Sequence, residues 1–206
     1  MLAWLRARNA NARKAKELYG AVVAAARQPV FYAGYGLPDT LNGRFEIVVL
    51  HLFLLLERLR GETGNVETVS RLTLEAFCTD MDDCMRELGV GDTVVAKRVK
   101  KAAAAFYERA SAYGAAISEN DGGGALASAL ARFMAEPGLA ALSQTAHAGP
   151  AGQQGEQFVA QQDNAPEQLA KACAELSGYA LRQRDLLAAE RLENVLAGRI
   201  FQSAGH

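Results

Sequence analysis

Arg44, His51 and Arg58 are spaced by seven residues, and at about 100° per residue they fall within about 40° of one another on a helix. Two guanidinium groups with an imidazole between them could recognise acidic or polar groups on a partner. The imidazole would add a hydrogen bond that responds to pH. The same stripe could instead face water or pair with acids inside the fold. Asp80, Asp83 and Glu87 follow at steps of three and four, and Glu75 and Asp82 lie seven apart on a neighbouring face. Carboxylates so spaced could hold metal ions in a helical bundle, but such sites also use Glu-x-x-His motifs, and the chain contains none. Pairing of the acidic face with the Arg44 stripe is the expectation preferred here. Lys97, Arg98, Lys100 and Lys101 form a basic cluster; cations near a helix start gain nothing from its dipole, which leaves room for an interaction role. The run Gly122–Gly124 could seat an anion at a helix start, but it lacks a lysine or a preceding strand.

Catalytic signatures are otherwise missing. There is no GxGxxG, Walker lysine loop, GxSxG, HExxH or CxxC. His147 falls in a low-complexity stretch and His206 ends the sequence, so only His51 is placed for structured work. The expectation is a protein that binds rather than catalyses, with no catalytic residue, metal or cofactor. With 22 Lys and Arg against 23 Asp and Glu, the chain lacks the basic excess of a DNA or RNA binder.

These side chains must be positioned by helices. Alanine and leucine dominate, strand-like alternation is nearly absent, and glycine and proline cluster between long periodic stretches. The predicted fold is all-α, a compact multi-helix domain with a long C-terminal helix. A first helix is expected from Asn9 to Arg27, ending before Pro29. Residues 30–43 read as an ordered loop, with Asp39, Thr40 and Asn42 as candidate caps. The second helix, Arg44 to Arg60, is apolar around most of its circumference, so it is either central in the core or covered by a partner. A third, Val66 to Leu88, stops at Gly89, and a fourth starts at Asp92 with a packing seam through Val95, Val99, Ala102, Phe106, Ala110, Tyr113 and Ile117. A shorter helix covers Leu126 to Ala135. Residues 143–164 read as a mobile connection or a partly disordered loop, and Asn164 with Glu167 resembles a capping box that opens a helix running towards Leu196. Three regions result: a basic helix over 1–28, a core over 29–119, and a helical region over 120–206 packed on it.

Residues 1–28 carry Arg6, Arg8, Arg13, Lys14, Lys16 and Arg27 against Glu17 alone, leaving 16 bases and 22 acids for the rest. With Leu2, Trp4, Leu5, Leu18, Val22 and Val23 as its apolar positions, this helix could rest on an anionic membrane surface or simply pack on the domain. The longest apolar run, Ile47 to Leu56, is half the length needed to cross a bilayer. Cys78, Cys84 and Cys173 lack CxxC spacing and read as reduced core thiols. The segment Met1 to Ala12 has no apolar signal-peptide core. A cytoplasmic location follows as the expectation, with a peripheral position at the inner face of the membrane as an option.

The stretch from Phe31 to Tyr113 resembles the ubiquinol-cytochrome c chaperone family. The similarity rests on Tyr35-Gly36-Leu37-Pro38-Asp39-Thr40, Gly43-Arg44-Phe45-Glu46, Leu50-His51-Leu52 and Arg58-Leu59. It continues through Phe77, Asp80-Met81-Asp82, Arg86 to Asp92, Lys97, Lys100 and Phe106-Tyr107-Glu108-Arg109. The resemblance implies a helical, non-enzymatic protein, bacterial by preference, that binds newly made cytochrome b and helps it enter respiratory complex III. It also directs attention to Arg44, Glu46, His51, Arg58, Asp80, Asp82, Arg86, Glu87, Lys97 and Lys100 as partner-binding candidates. Pro38, Asp39, Gly43, Gly89, Gly91 and Asp92 are expected to build turns. Arg58→Ala is expected to weaken client association at little cost in stability, and Arg44→Ala to affect both. A helical scaffold or membrane-surface protein without a dedicated client is the alternative, and a carboxylate-metal enzyme a further one.

Overall fold

The computed structural model describes residues 2–87, 95–136 and 165–201. The described residues form seven α-helices, one π-helical turn and no strand. The helices are α1 (Leu2–Ala26), α2 (Leu41–Arg58), α3 (Asn65–Glu87), α4 (Val95–Ser118), α5 (Gly124–Ala135), α6 (Ala165–Ala189) and α7 (Leu192–Leu196). The π-turn, Val30–Gly34, joins α1 to α2 and buries Phe31 completely. Helix α1 begins at Leu2 rather than Asn9. Gly89, Gly91, Asp92, Asn164 and the segment expected to be mobile at 143–164 lie outside the described residues.

Helix α2 is the axis of the core. It packs against α1, α4, α5 and α6, and Ile47, Val49, Leu50, Leu52, Leu54 and Leu55 are all buried. A helix apolar on every side is stable only when neighbours surround it, and each such burial contributes about 1.5–3 kcal/mol. The protein itself thus covers this helix. On one flank Asn11 meets Asn65 and Tyr19 meets Asp80, so α1 and α3 run side by side in the same direction.

Both ends of α2 are fixed by specific polar chemistry. Thr40 is the N-cap, its hydroxyl accepting from the Gly43 N–H at 3.0 Å. Gly43 is required at the next contact: a Cβ there would lie 2.1 Å from the Pro38 carbonyl oxygen. Asn42 does not cap its own helix. Its amide donates to the carbonyls of Phe133, Met134 and Glu136 at 3.0–3.2 Å, closing the C-terminus of α5. At the other end Arg58 donates from Nε to the Leu187 carbonyl (2.8 Å) and from Nη2 to the Glu190 carbonyl (3.1 Å), closing α6. A cation there also complements the helix dipole.

The C-terminal helix is not continuous to Leu196. It breaks at Glu190 and Arg191 because the Glu190 carboxylate accepts from the Arg191 N–H (3.0 Å) and the Asn194 amide (2.6 Å), which starts a separate short helix. The glycine run before α5 is satisfied from within the chain. Asp121 places its own carboxylate on the N–H groups of Gly123 (3.0 Å) and Ala125 (2.7 Å), the donors an external anion would have used.

Candidate partner-binding cleft

The three members of the Arg44 stripe share a face of α2 but not an environment. The middle of that face is covered by α6, the π-turn and the C-terminal segment, which excludes His51 from water entirely. Its Nδ1–H donates to the Ile47 carbonyl at 2.8 Å, and Nε2 accepts from the Tyr179 hydroxyl at 2.9 Å. That tautomer is required because a carbonyl can only accept. The rings of Phe31, Tyr179 and Phe201 surround the imidazole, and burial pulls its pKa down to about 4. His51 is therefore a neutral core residue, not a surface hydrogen-bonding group.

Glu46, the other polar residue in the middle of α2, is also fully buried. Arg109 of α4 grips it, Nη2 to Oε1 at 2.6 Å and Nε to both oxygens at 2.8 Å, and the Tyr113 hydroxyl adds a 3.3 Å contact. Burial pushes the Glu46 carboxyl up, opposed by the hydrogen bonds and charge of Arg109. Burial acts against the charge on Arg109, but the Glu46 carboxylate more than offsets it. The guanidinium also lies over the Phe133 ring, 4.5 Å from its centroid. Reading the sequence singled out Glu46 but not its partner. The available signal was a charged residue sitting one turn from both Phe106 and Tyr113 in the packing seam of α4.

Arg44 is exposed and takes Asp39 as its partner, Nε to Oδ1 at 2.6 Å, instead of the acids of α3. This pair holds the Asp39 carboxyl below its usual range, through the hydrogen bond from Arg44 first. Of the acidic face, Asp80 accepts from the Tyr19 hydroxyl at 2.7 Å, Asp82 is buried and Asp83 is exposed. Among the described residues no three His, Cys, Asp or Glu side chains gather as a metal site. The side chains of Arg86, Glu87 and Lys97 lie outside the described residues, and Lys100 is exposed on α4. Cys78 and Cys173 are buried and Cys84 half-buried, all as free thiols. Burial raises the pKa of Cys78, and that of Cys173 to about 11, which suits inert thiols.

Of the candidates, Asp39, Arg44 and Asp80 meet at one cleft, of about 590 Å³, between the end of α1, the π-turn, the start of α2 and the end of α3. Val23, Phe45, Val48 and Met81 give it an apolar floor, and Arg27, Asp39, Arg44 and Asp80 stand around it. Leu41, one of the few large apolar side chains left exposed among the described residues (44%), lines the same cleft. Tyr32 stacks beneath the Arg44 guanidinium, 6.0 Å from ring centroid to carbon. An apolar floor with charges of both signs around it suits a peptide segment with apolar side chains and polar flanks. Two regions of the sequence, residues 39–48 and 80–84, meet here because α2 and α3 both pack on α1.

Comparison with known proteins decides the family. The model of the ubiquinol-cytochrome c chaperone family matches residues 33–202. The chain belongs to the ubiquinol-cytochrome c chaperone family. The match reaches past Tyr113, where the sequence resemblance was legible, and takes in α5, α6 and α7 as parts of the family unit. Among solved structures it is similar to the Cbp3 homolog from Brucella abortus, with 34% identity and a TM-score of 0.70, over 99% of this chain and 98% of that one. No match is found among curated proteins. Viewed as a member of this chaperone family, the protein unites two separated blocks of its sequence signature, Gly43–Glu46 and Phe106–Arg109, through the buried Glu46–Arg109 pair.

Proposed function

We propose that this protein is an assembly chaperone for ubiquinol-cytochrome c reductase, respiratory complex III, and that its client is newly made cytochrome b. The observation that carries the reading is the family match over residues 33–202, supported by structural similarity along the whole chain. A newly made membrane protein exposes apolar segments that aggregate unless covered. The cleft beside Arg44 supplies the matching surface: Phe45, Val48, Met81 and Leu41 receive apolar side chains of the client, while Arg44, Asp80 and Arg27 meet its polar flanks. Glu46, His51 and Arg58 act indirectly, by holding α2 against α4 and α6.

The test is deletion of the gene in its host, followed by measurement of assembled complex III and of cytochrome b co-purifying with tagged protein on re-expression. Loss of the complex, its restoration on re-expression and capture of cytochrome b are the expected results. Normal complex III in the deletion strain would overturn the proposal.

A further inference from the structure

Helix α1 has two opposite faces. Ala15, Leu18, Val22 and Ala26 are buried against the core, whereas Arg6, Arg13, Lys16 and Arg27 are exposed. At about 100° per residue these four cations fall within about 80° of one another. They extend over roughly 30 Å at about 1.5 Å per residue. Gly20 and Ala24 lie between them on the same face, both exposed, and a Cβ added at Gly20 would meet nothing within 4 Å. The face is therefore flat as well as cationic.

Nothing in the helix balances this charge. Glu17 is the one acid among residues 1–28, and its 3.5 Å contact with Arg13 joins side chains 64% and 79% exposed, a pair that solvent screens. The rest of the chain is acidic, with 16 bases against 22 acids, so the positive charge is segregated onto this helix. The face also runs into the cleft, since Arg27 both ends the stripe and lines the cleft.

We infer that the solvent face of α1 is a docking surface for an anionic lipid bilayer. The inference rests on the proposed function in one respect, that a chaperone for a membrane complex works beside a membrane. Docked through α1, the protein would hold its client cleft at the bilayer surface. Among the described side chains of this face none is large and apolar, so the contact is electrostatic and reversible. Each Lys or Arg near an anionic surface strengthens binding about fivefold, and salt weakens it. Nucleic acid also attracts cations, but the described part of this face offers no aromatic ring for a base to stack on.

The test uses purified full-length protein without client, floated with vesicles of phosphatidylcholine alone or of phosphatidylcholine mixed with phosphatidylglycerol. The protein should float with the anionic vesicles only, and high salt should release it. The triple variant Arg6→Glu, Arg13→Glu, Lys16→Glu should lose at least about tenfold in vesicle affinity with unchanged helical content, and Arg6→Lys, Arg13→Lys should bind normally. Equal flotation with neutral vesicles, undiminished flotation of the triple variant, or a preference for structured RNA over anionic vesicles in competition would each overturn the inference. Because no client is present, any of these outcomes leaves the chaperone reading to its own test.

Discussion

Glu46 and Arg109, 63 residues apart in sequence, form an ion pair in the centre of the protein with three N–O contacts of 2.8 Å or less. Both side chains are almost excluded from water, at 0% and 5% exposure. The pair ties α2 to α4, and its value depends on both partners being present. Taking one away leaves the other charge buried and unpaired. Arg109→Ala is therefore expected to cost about 3–5 kcal/mol, and the double variant Glu46→Leu, Arg109→Met to recover most of that loss. Urea denaturation of the three proteins checks both halves; a mildly destabilised Arg109→Ala would show that the charge is not truly buried.

His51 makes stability depend on pH in a definite direction. Its folded pKa, about 4, lies below its ordinary value of 6.5, so the unfolded chain takes up a proton first as the pH falls. Stability from this group is complete above pH 6.5 and is lost progressively down to about pH 4, by about 3 kcal/mol in all. Carboxylates also titrate in acid, so the readout is a difference. His51→Gln should flatten the stability profile between pH 6.5 and 4 relative to the wild type, whereas parallel profiles would contradict the buried neutral imidazole.

Arg58 and Arg44 should behave differently from what their spacing suggests. Arg58 is mostly buried (18% side-chain exposure) and closes the carbonyl end of α6, so Arg58→Ala should cost about 1.5–3 kcal/mol. The sequence reading expected little loss of stability there. Arg44 pairs with Asp39 in the open, so Arg44→Ala should leave the melting temperature nearly unchanged while weakening client capture. Thermal melts and cytochrome b pull-downs of the two variants side by side separate these roles.

Gly43 is held by contact, not by an unusual backbone angle. Gly43→Ala would force its methyl group into the Pro38 carbonyl, 2.1 Å away, and should cost about 1–3 kcal/mol through displacement of the Pro38–Thr40 turn. Because that turn carries Asp39 beside the cleft, client capture should fall with it. A fully stable Gly43→Ala protein would mean that the turn relaxes freely.

What was legible in the sequence follows from what is local. The all-round apolarity of α2 required cover, from the core or from a partner, and Thr40 was readable as one of three candidate caps; Gly43, which reads as part of the turn before the helix, lies inside its first turn. The spacing of Arg44, His51 and Arg58 correctly placed them on one face. What covers that face was not legible, because the docking of α6 and of Phe201 onto His51 joins residues more than a hundred positions apart. Long range also hid the pairing of Glu46 with Arg109, 63 positions away, and the role of Asn42, which reads as a cap for its own helix but closes α5, 91 positions on. Polar side chains on a greasy helix signal that partners exist, and only the packing of the other helices names them.

Photo-crosslinking from the cleft tests the central claim most directly. A photoreactive amino acid replaces Leu41, on the cleft, or Tyr107, an exposed residue of α4 (61%) that lines a separate groove. Cells making complex III are irradiated during synthesis of new protein, and adducts are recovered through a tag on this chain. A cytochrome b adduct from position 41, and little or none from position 107, is the result the account predicts. Equal adducts from both positions, or none from position 41 in a protein that still supports complex III assembly, would contradict the assignment of this cleft to the client.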